Sequence, residues 1–224
     1  MPKNMTGRER RVPIAGGPSD TRHEEYARRL ETHELATWKR LLNVQAPYQW
    51  NLRRLHLGTT LDVGCGIGRN LATLGPESVG VDHNASSVET ARRRGFVAFT
   101  PEEFRTSTYS RRGSFDTLLV SHVLEHLKRD EAQALLGEYV DMIRPNGMLL
   151  LITPQEAGFR RDASHRTFMD FATLRDLCHA SNAQVERQFS FPLPRQMGHV
   201  FFYNEFVVLA RLPDSAPRVT PDTD

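Results

Sequence analysis

The sequence predicts an α/β fold, a mostly parallel sheet of seven strands with helices on both faces. Three observations carry that reading. Short, nearly continuous apolar runs alternate with helical patterns, as they do when parallel strands are buried on both faces. The first of those runs ends in three alternating glycines, Gly64, Gly66 and Gly68. A chain of 224 residues is also long enough to bury one sizeable core.

The elements follow in order. Residues 1–21 mix Pro, Gly and Arg without apolar period and read as a disordered tail. The domain is expected over 22–212. Within it, Tyr26, Leu30, Trp38, Leu41 and Leu42 have helical spacing that breaks at Pro47, so 22–57 read as N-terminal helices. Strands are expected over 60–63, 78–81, 96–99, 117–121 and 148–153, and helices over 69–74, 85–94, 130–143 and 171–182. Pro145-Asn146-Gly147 reads as a turn feeding the fifth strand. Runs at 183–189 and 201–212 complete the sheet, and 213–224 reads as a second disordered tail.

Bulk properties exclude several classes. Lys+Arg is 29 against Asp+Glu 27, and the arginines are scattered, so no nucleic-acid partner is expected. No apolar run reaches the roughly 18 residues of a membrane span. The basic N-terminus lacks a following apolar stretch, so no signal peptide is expected. Two cysteines, Cys65 and Cys178, are no disulfide framework, and both are expected reduced in a cytoplasm.

The glycine loop points to a cofactor. Strand, glycine turn and helix form a site where backbone N–H groups meet a nucleotide-like ligand. The spacing is G-x-G-x-G, not the G-x-G-x-x-G of dinucleotide sites. Asp62, two residues before the first glycine, adds negative charge where a pyrophosphate would lie. It suits a ligand carrying an ammonium and a sulfonium. Asp82 ends the next apolar run, where a carboxylate can take both hydroxyls of a ribose.

The runs LDVGCGIGRNL, VGVDHN, FDTLLVSHVLEHL and IRPNGMLLLITP together resemble the class I S-adenosylmethionine-dependent methyltransferases over about residues 58–212. That resemblance implies a Rossmann-like fold whose last strand is antiparallel and inserted between its neighbours. It implies S-adenosylmethionine as cofactor. Asp62, Gly64, Cys65, Gly66 and Gly68 would cradle its methionine part, with Asp82 on the ribose, His83 against the adenine, and Ser121 beside the site. The family often carries an acid after the third strand that reads the adenine amino group. Pro101 stands there, leaving backbone groups or Glu102 for the contact.

A second constellation follows the fourth strand. Ser121-His122-Val123-Leu124-Glu125-His126 would set His122, Glu125 and His126 on one face if a helix begins there. His165, after the fifth strand, lies at the same edge of the sheet. Some O-methyltransferases, including those of the ubiquinone pathway and of plant-type small-RNA ends, carry E-x-x-E-H followed by such a histidine. In that group these residues are metal ligands. Here the first glutamate is His122. The resemblance implies a divalent ion (Mg, Mn or Zn) on His122, Glu125, His126 and His165. The alternative is a metal-free polar pocket in which Glu125, His126 and His165 are catalytic and a histidine is the base. Residues 191–199, ending at His199, read as a lid, a dimer contact or a packed surface loop. Arg160, Arg161 and Arg166 are candidate substrate contacts, or else solvated.

The expected function is methyl transfer to a hydroxyl of a small molecule by a monomer or homodimer. The segments TPEEF, DASH and FVVLARL resemble actinobacterial sugar O-methyltransferases of the methylmannose polysaccharide type, so a sugar or oligosaccharide is the first expected acceptor. A quinone, phenolic or lipid acceptor is the second. Two rivals from other classes are an NAD-dependent oxidoreductase and a non-catalytic cofactor-binding subunit.

Overall fold

A computed structural model describes residues 45–214. The tail over 1–21, the helices over 22–44 and the last ten residues lie outside the described residues. Helix α1 (Ala46–Arg54) leads into β1 (Thr60–Val63), β2 (Val79–Val81), α2 (Ala85–Arg93), β3 (Val97–Phe99), α3 (Pro101–Thr106) and β4 (Phe115–Ser121). Then come α4 (Arg129–Tyr139), β5 (Ile143–Pro154), α5 (Glu156–Phe159), α6 (Phe171–Ala180), β6 (Gln184–Phe191) and β7 (Glu205–Arg211). One-turn 3-10 helices occupy Leu124–His126 and Val140–Met142, and a longer one Arg195–His199.

The sheet has seven strands in the order β3-β2-β1-β4-β5-β7-β6. Strands β1 to β5 pair in parallel, while β7 runs antiparallel to β5 and β6, inserted between them. Both faces are apolar because successive residues point to opposite sides. Leu118, Val120, Leu149 and Leu151 face Leu136 of α4 and Leu174 and Leu177 of α6. Leu119, Leu150 and Ile152 face Leu52 of α1, Leu55 and Leu57. All five strand leucines are fully buried, each contributing about 1.5–3 kcal/mol of transfer free energy.

Local signals explain the helix starts. Asn84 caps α2 by accepting from the N–H groups of Ser86 and Ser87. Thr100 and Glu103 close a reciprocal capping box at α3, with Pro101 in the first turn. Asp170 caps α6 through the Thr173 N–H.

Two expected elements differ. Residues 69–74 form successive turns, not a helix. Isolated helical bonds join Ala72 to Gly68 and Leu74 to Asn70, but Gly75-Pro76 follows at once, and a segment this short cannot propagate a helix. Strand β5 begins at Ile143 and carries Pro145-Asn146-Gly147 within it. Asn146 adopts φ 58°, and the pairing with β4 shifts register there. Among the described residues, no helix is long and apolar enough to cross a membrane.

Candidate functional site

Beyond β1 the chain winds outward to β2 and β3 on one side, and to β4 and β5 on the other. This reversal opens a crevice at the carboxyl ends of β1 and β4. Three buried side-chain oxygens among the described residues lack a hydrogen-bond partner. Two of them, Asp62 Oδ2 and Glu125 Oε2, belong to carboxylates on β1 and just after β4.

Asp62 is fully buried in β1, and its Oδ1 accepts from Asn70 Nδ2 at 3.4 Å. Burial pushes its pKa up to about 7; Asn70 opposes the shift and the Asp82 charge adds to it. The three loop glycines all adopt positive φ, at 81°, 53° and 81°. Their surroundings differ. A Cβ on Gly64 would lie 2.0 Å from Val123 Cγ2, and one on Gly68 2.5 Å from the Phe96 ring. At Gly66 nothing lies within 4 Å, so this is where the backbone is open to a ligand. Asp82 Oδ2 accepts the Gly66 N–H and Oδ1 the Asn84 N–H, both at 2.8 Å. A buried unpartnered carboxylate oxygen, an open glycine and a second acid fit a ligand with an ammonium and a ribose diol.

The other residues expected at the cofactor fall as follows. Cys65 turns its side chain away from the crevice, into a cluster with Leu71, Val88, Ala91 and Ala98. It packs on Gly80, where a Cβ would lie 2.6 Å from its sulfur. Only its backbone can serve the loop. His83 is almost fully exposed, 3.7 Å from Asp82 Oδ1. Glu102 lies in the first turn of α3, exposed and paired with Arg105. Ser121 ends β4, half-buried.

The second constellation is gathered differently from the helical expectation. No α-helix begins at Ser121. His122 adopts φ 57°, and one 3-10 turn carries Glu125 and His126. Glu125, His126 and His165 offer ligand atoms all within 4.8 Å of one another. His122 does not join them. Its Nδ1 lies 3.3 Å from Glu125 Oε1 and its Nε2 2.8 Å from Glu205 Oε1. Burial pulls its pKa down, but these two carboxylates outweigh burial and push it up to about 10. With both ring nitrogens turned to carboxylates, His122 stands outside the cluster of three, which corrects the expected four-ligand set.

His165 is well ordered by its neighbours. Its Nδ1 faces the Phe159 carbonyl at 2.9 Å, which assigns the proton to Nδ1 and leaves the Nε2 lone pair free. Nε2 lies 4.0 Å from Glu125 Oε1 and 3.9 Å from Asp162 Oδ2. The Phe159 ring stacks on the imidazole with centroids 5.3 Å apart. His126 Nδ1 meets the Ser164 hydroxyl at 3.2 Å and the Ser164 carbonyl at 3.4 Å, while that hydroxyl donates to Asp162 at 2.6 Å. His165 thus turns Nε2 toward Glu125 with Nδ1 tied behind, the usual support of a ligating imidazole, while His126 rests its Nδ1 on Ser164.

The segment over 191–199 is pinned by polar contacts. Asn204 Nδ2 donates to buried Gln155 Oε1 at 2.9 Å and to the Pro194 carbonyl. Arg195 forms a bidentate pair with Glu156, and His199 Nδ1 lies 3.9 Å from the same carboxylate. Arg160 donates to the His199 carbonyl, Arg161 covers the Phe202 ring, and Arg166 approaches Glu131 at 3.6 Å. These three arginines are engaged within the chain. Sequence reasoning missed Glu205, Ser164 and Asp162. The only sequence signal for the last two was their adjacency to His165, and for Glu205 there was none.

Residues 61–149 match the family model described as a methyltransferase domain. The ubiquinone biosynthesis O-methyltransferase of Rhodopseudomonas palustris (strain HaA2) is 29% identical over 99 residues, 42% of this chain and 38% of that protein. That of Bradyrhizobium sp. (strain ORS 278) is 30% identical over 99 residues, with the same coverage. The match therefore spans less than two fifths of these curated relatives. Among solved structures, a SAM dependent methyltransferase from Archaeoglobus fulgidus superposes with TM-score 0.60 at 17% identity, covering 80% of this chain and 99% of that one. Magnesium protoporphyrin IX methyltransferase from Synechocystis PCC 6803 with bound SAH gives 0.54 at 15% identity, covering 75% and 85%. These likenesses show the fold, which is the Rossmann-like fold of the methyltransferases.

Proposed function

We propose that this chain transfers a methyl group from S-adenosylmethionine to a hydroxyl oxygen, and that the acceptor is a phenol or quinol. The carrying observation is the glycine loop with its two acids, inside the stretch that matches the methyltransferase domain. The oxygen acceptor is supported by the cluster of Glu125, His126 and His165 one strand away. The relatives named in ubiquinone biosynthesis support a quinone-type ring over the sugar expected from the sequence. Phe159, stacked on His165, gives the cluster an aromatic neighbour.

S-adenosylmethionine, when bound, supplies a methyl group on a sulfonium that leaves as a neutral thioether. The chain's own work is to orient and to deprotonate. Asp62 sets a carboxylate where the ammonium enters, and Asp82 holds the ribose while tying down Gly66. His165 or His126 takes the hydroxyl proton on Nε2, and Glu125 stabilises the imidazolium that forms. Two imidazoles and a carboxylate this close also fit a divalent ion. Glu125, His126 and His165 would hold it, and it would lower the pKa of the acceptor hydroxyl. This nitrogen-rich set favours zinc or manganese over magnesium.

The test is direct. Calorimetry with S-adenosylhomocysteine and with NAD, followed by mass spectrometry on catechol-type and sugar acceptors, should show binding of the first ligand only and methylation of the phenolic hydroxyl. Binding of NAD alone would overturn the methyl-transfer reading. Methylation of the sugar alone would overturn the acceptor.

A further inference from the structure

We propose that Glu205 acts through His122 to position Glu125, so that β7 holds the carboxylate of a site otherwise built after β4 and β5. The proposal deepens the methyl-transfer reading and rests on it for its kinetic arm.

The argument begins with backbone geometry. His122 follows β4 and keeps a sheet-like bond, its N–H donating to the Ile152 carbonyl at 3.0 Å. It then adopts φ 57°, a region that non-glycine residues enter at a cost. Such a conformation persists only where the surroundings over-determine it, and it collects at functional positions. Here it turns the imidazole away from the helical face shared with His126, toward β7.

Both ring nitrogens then meet carboxylates. Nε2 lies 2.8 Å from Glu205 Oε1, and Nδ1 lies 3.3 Å from Glu125 Oε1. Glu205 is 8% exposed and Glu125 1%. Removing two carboxylates from water beside one another is costly unless a cation or donor stands between them, and His122 does. Glu205 is itself held in place. It is the first residue of β7, paired with Pro154 and Phe191, and its carbonyl accepts from buried Gln155 Nε2 at 2.9 Å.

The consequence for Glu125 is specific. Its Oε1 is engaged by His122 and stands 4.0 Å from His165 Nε2, while its buried Oε2 has no partner. The oxygen that His122 tethers is thus the one that faces His165. The Glu125 main chain is held as well, since its carbonyl accepts from the N–H groups of Arg166 and Thr167. His122 and Glu205 thus orient a residue of the site without belonging to the cluster of three.

A double-mutant cycle tests this with Glu205→Gln, His122→Asn and the pair. Binding of S-adenosylhomocysteine, read by calorimetry, serves as the folding control, because Asp82 and Gly66 lie elsewhere in the crevice. With that binding intact, Glu205→Gln should lower kcat about 10–100-fold, as expected for removing the support of a reacting group, with a smaller change in the acceptor KM. In the His122→Asn background the same substitution should have little further effect. Glu205→Asp should restore part of the rate. The second readout is the ¹⁵N shift of the His165 ring, which should move in Glu205→Gln and not move again in the double variant. If the wild-type protein binds cofactor but transfers no methyl group, the methyl-transfer reading fails, and the His165 shift still decides the positioning. Wild-type rate and His165 shift in Glu205→Gln, or fully additive effects with His122→Asn, would overturn the proposal.

Discussion

The rings of His126 and His165 meet edge to face, with centroids 4.8 Å apart, although one follows β4 and the other follows β5. Parallel pairing of β4 with β5 brings the two segments together at one end of the sheet. Replacing either ring by alanine should lower turnover by about 10²–10⁴ if it carries the proton. Cofactor affinity should hold, since neither ring touches the glycine loop. Steady-state kinetics beside calorimetry checks this, and full turnover in both variants would remove the pair from the mechanism.

Asp82→Ala should weaken S-adenosylhomocysteine binding by about 1–3 kcal/mol, because the ribose hydroxyls lose their acceptor. The same change frees the N–H groups of Gly66 and Asn84, so a lower melting temperature should accompany it. Unaltered affinity in calorimetry would refute the ribose assignment.

Gly64 and Gly66 should respond differently to alanine. Gly64→Ala drives a methyl group into Val123 at φ 81°, which combines overpacking with a disfavoured backbone. A loss of about 2–5 kcal/mol is expected from a clash of about 1–3 and a backbone term of about 1–2. Gly66→Ala meets no atom, so only the backbone term remains, and the protein should fold yet lose cofactor affinity. Denaturant melts and ligand titration on both variants measure the difference; equal destabilisation would contradict the open position of Gly66.

Asp62 makes binding and stability depend on pH. Its folded pKa is raised to about 7 by burial, above its ordinary value of 3.8. Between those values the folded chain without ligand holds a proton that the unfolded chain has lost. Stability should therefore fall as pH rises from about 4 to about 7. An ammonium placed beside Asp62 favours its ionised form, so cofactor binding near pH 6 should release protons. Calorimetry in buffers of different ionisation enthalpy reads that release; proton uptake would contradict the placement.

For the divalent ion, manganese or zinc should raise the melting temperature of the wild type and not of Glu125→Gln. The three side chains lose their only anionic ligand in that variant. Chelation should then reduce activity, and re-addition should restore it. Full turnover in protein verified metal-free would leave the proton to the histidines alone.

The strands, the two acids and the open loop were readable from local sequence, because burial on both faces demands unbroken apolar runs and a tight turn demands glycine. Leu61 to Val63, Leu118 to Val120 and Leu149 to Ile152 all lie in the sheet as expected. Helix α3 was not among the expected elements, although its capping pair, Thr100 and Glu103, lies only three residues apart. Where the determinant lay outside the segment, the expectation changed. Residues 69–74 carry helical spacing but are too short to propagate a helix once Gly75-Pro76 follows. His122 shares its spacing with Glu125 and His126, yet its side chain is claimed by Glu205, a residue on β7. A carboxylate that pairs across the sheet leaves no mark in the neighbouring sequence. Spacing along the chain nominated side chains for the chemistry; strand order decided which of them meet, because contacts across a sheet depend on register and not on distance in sequence.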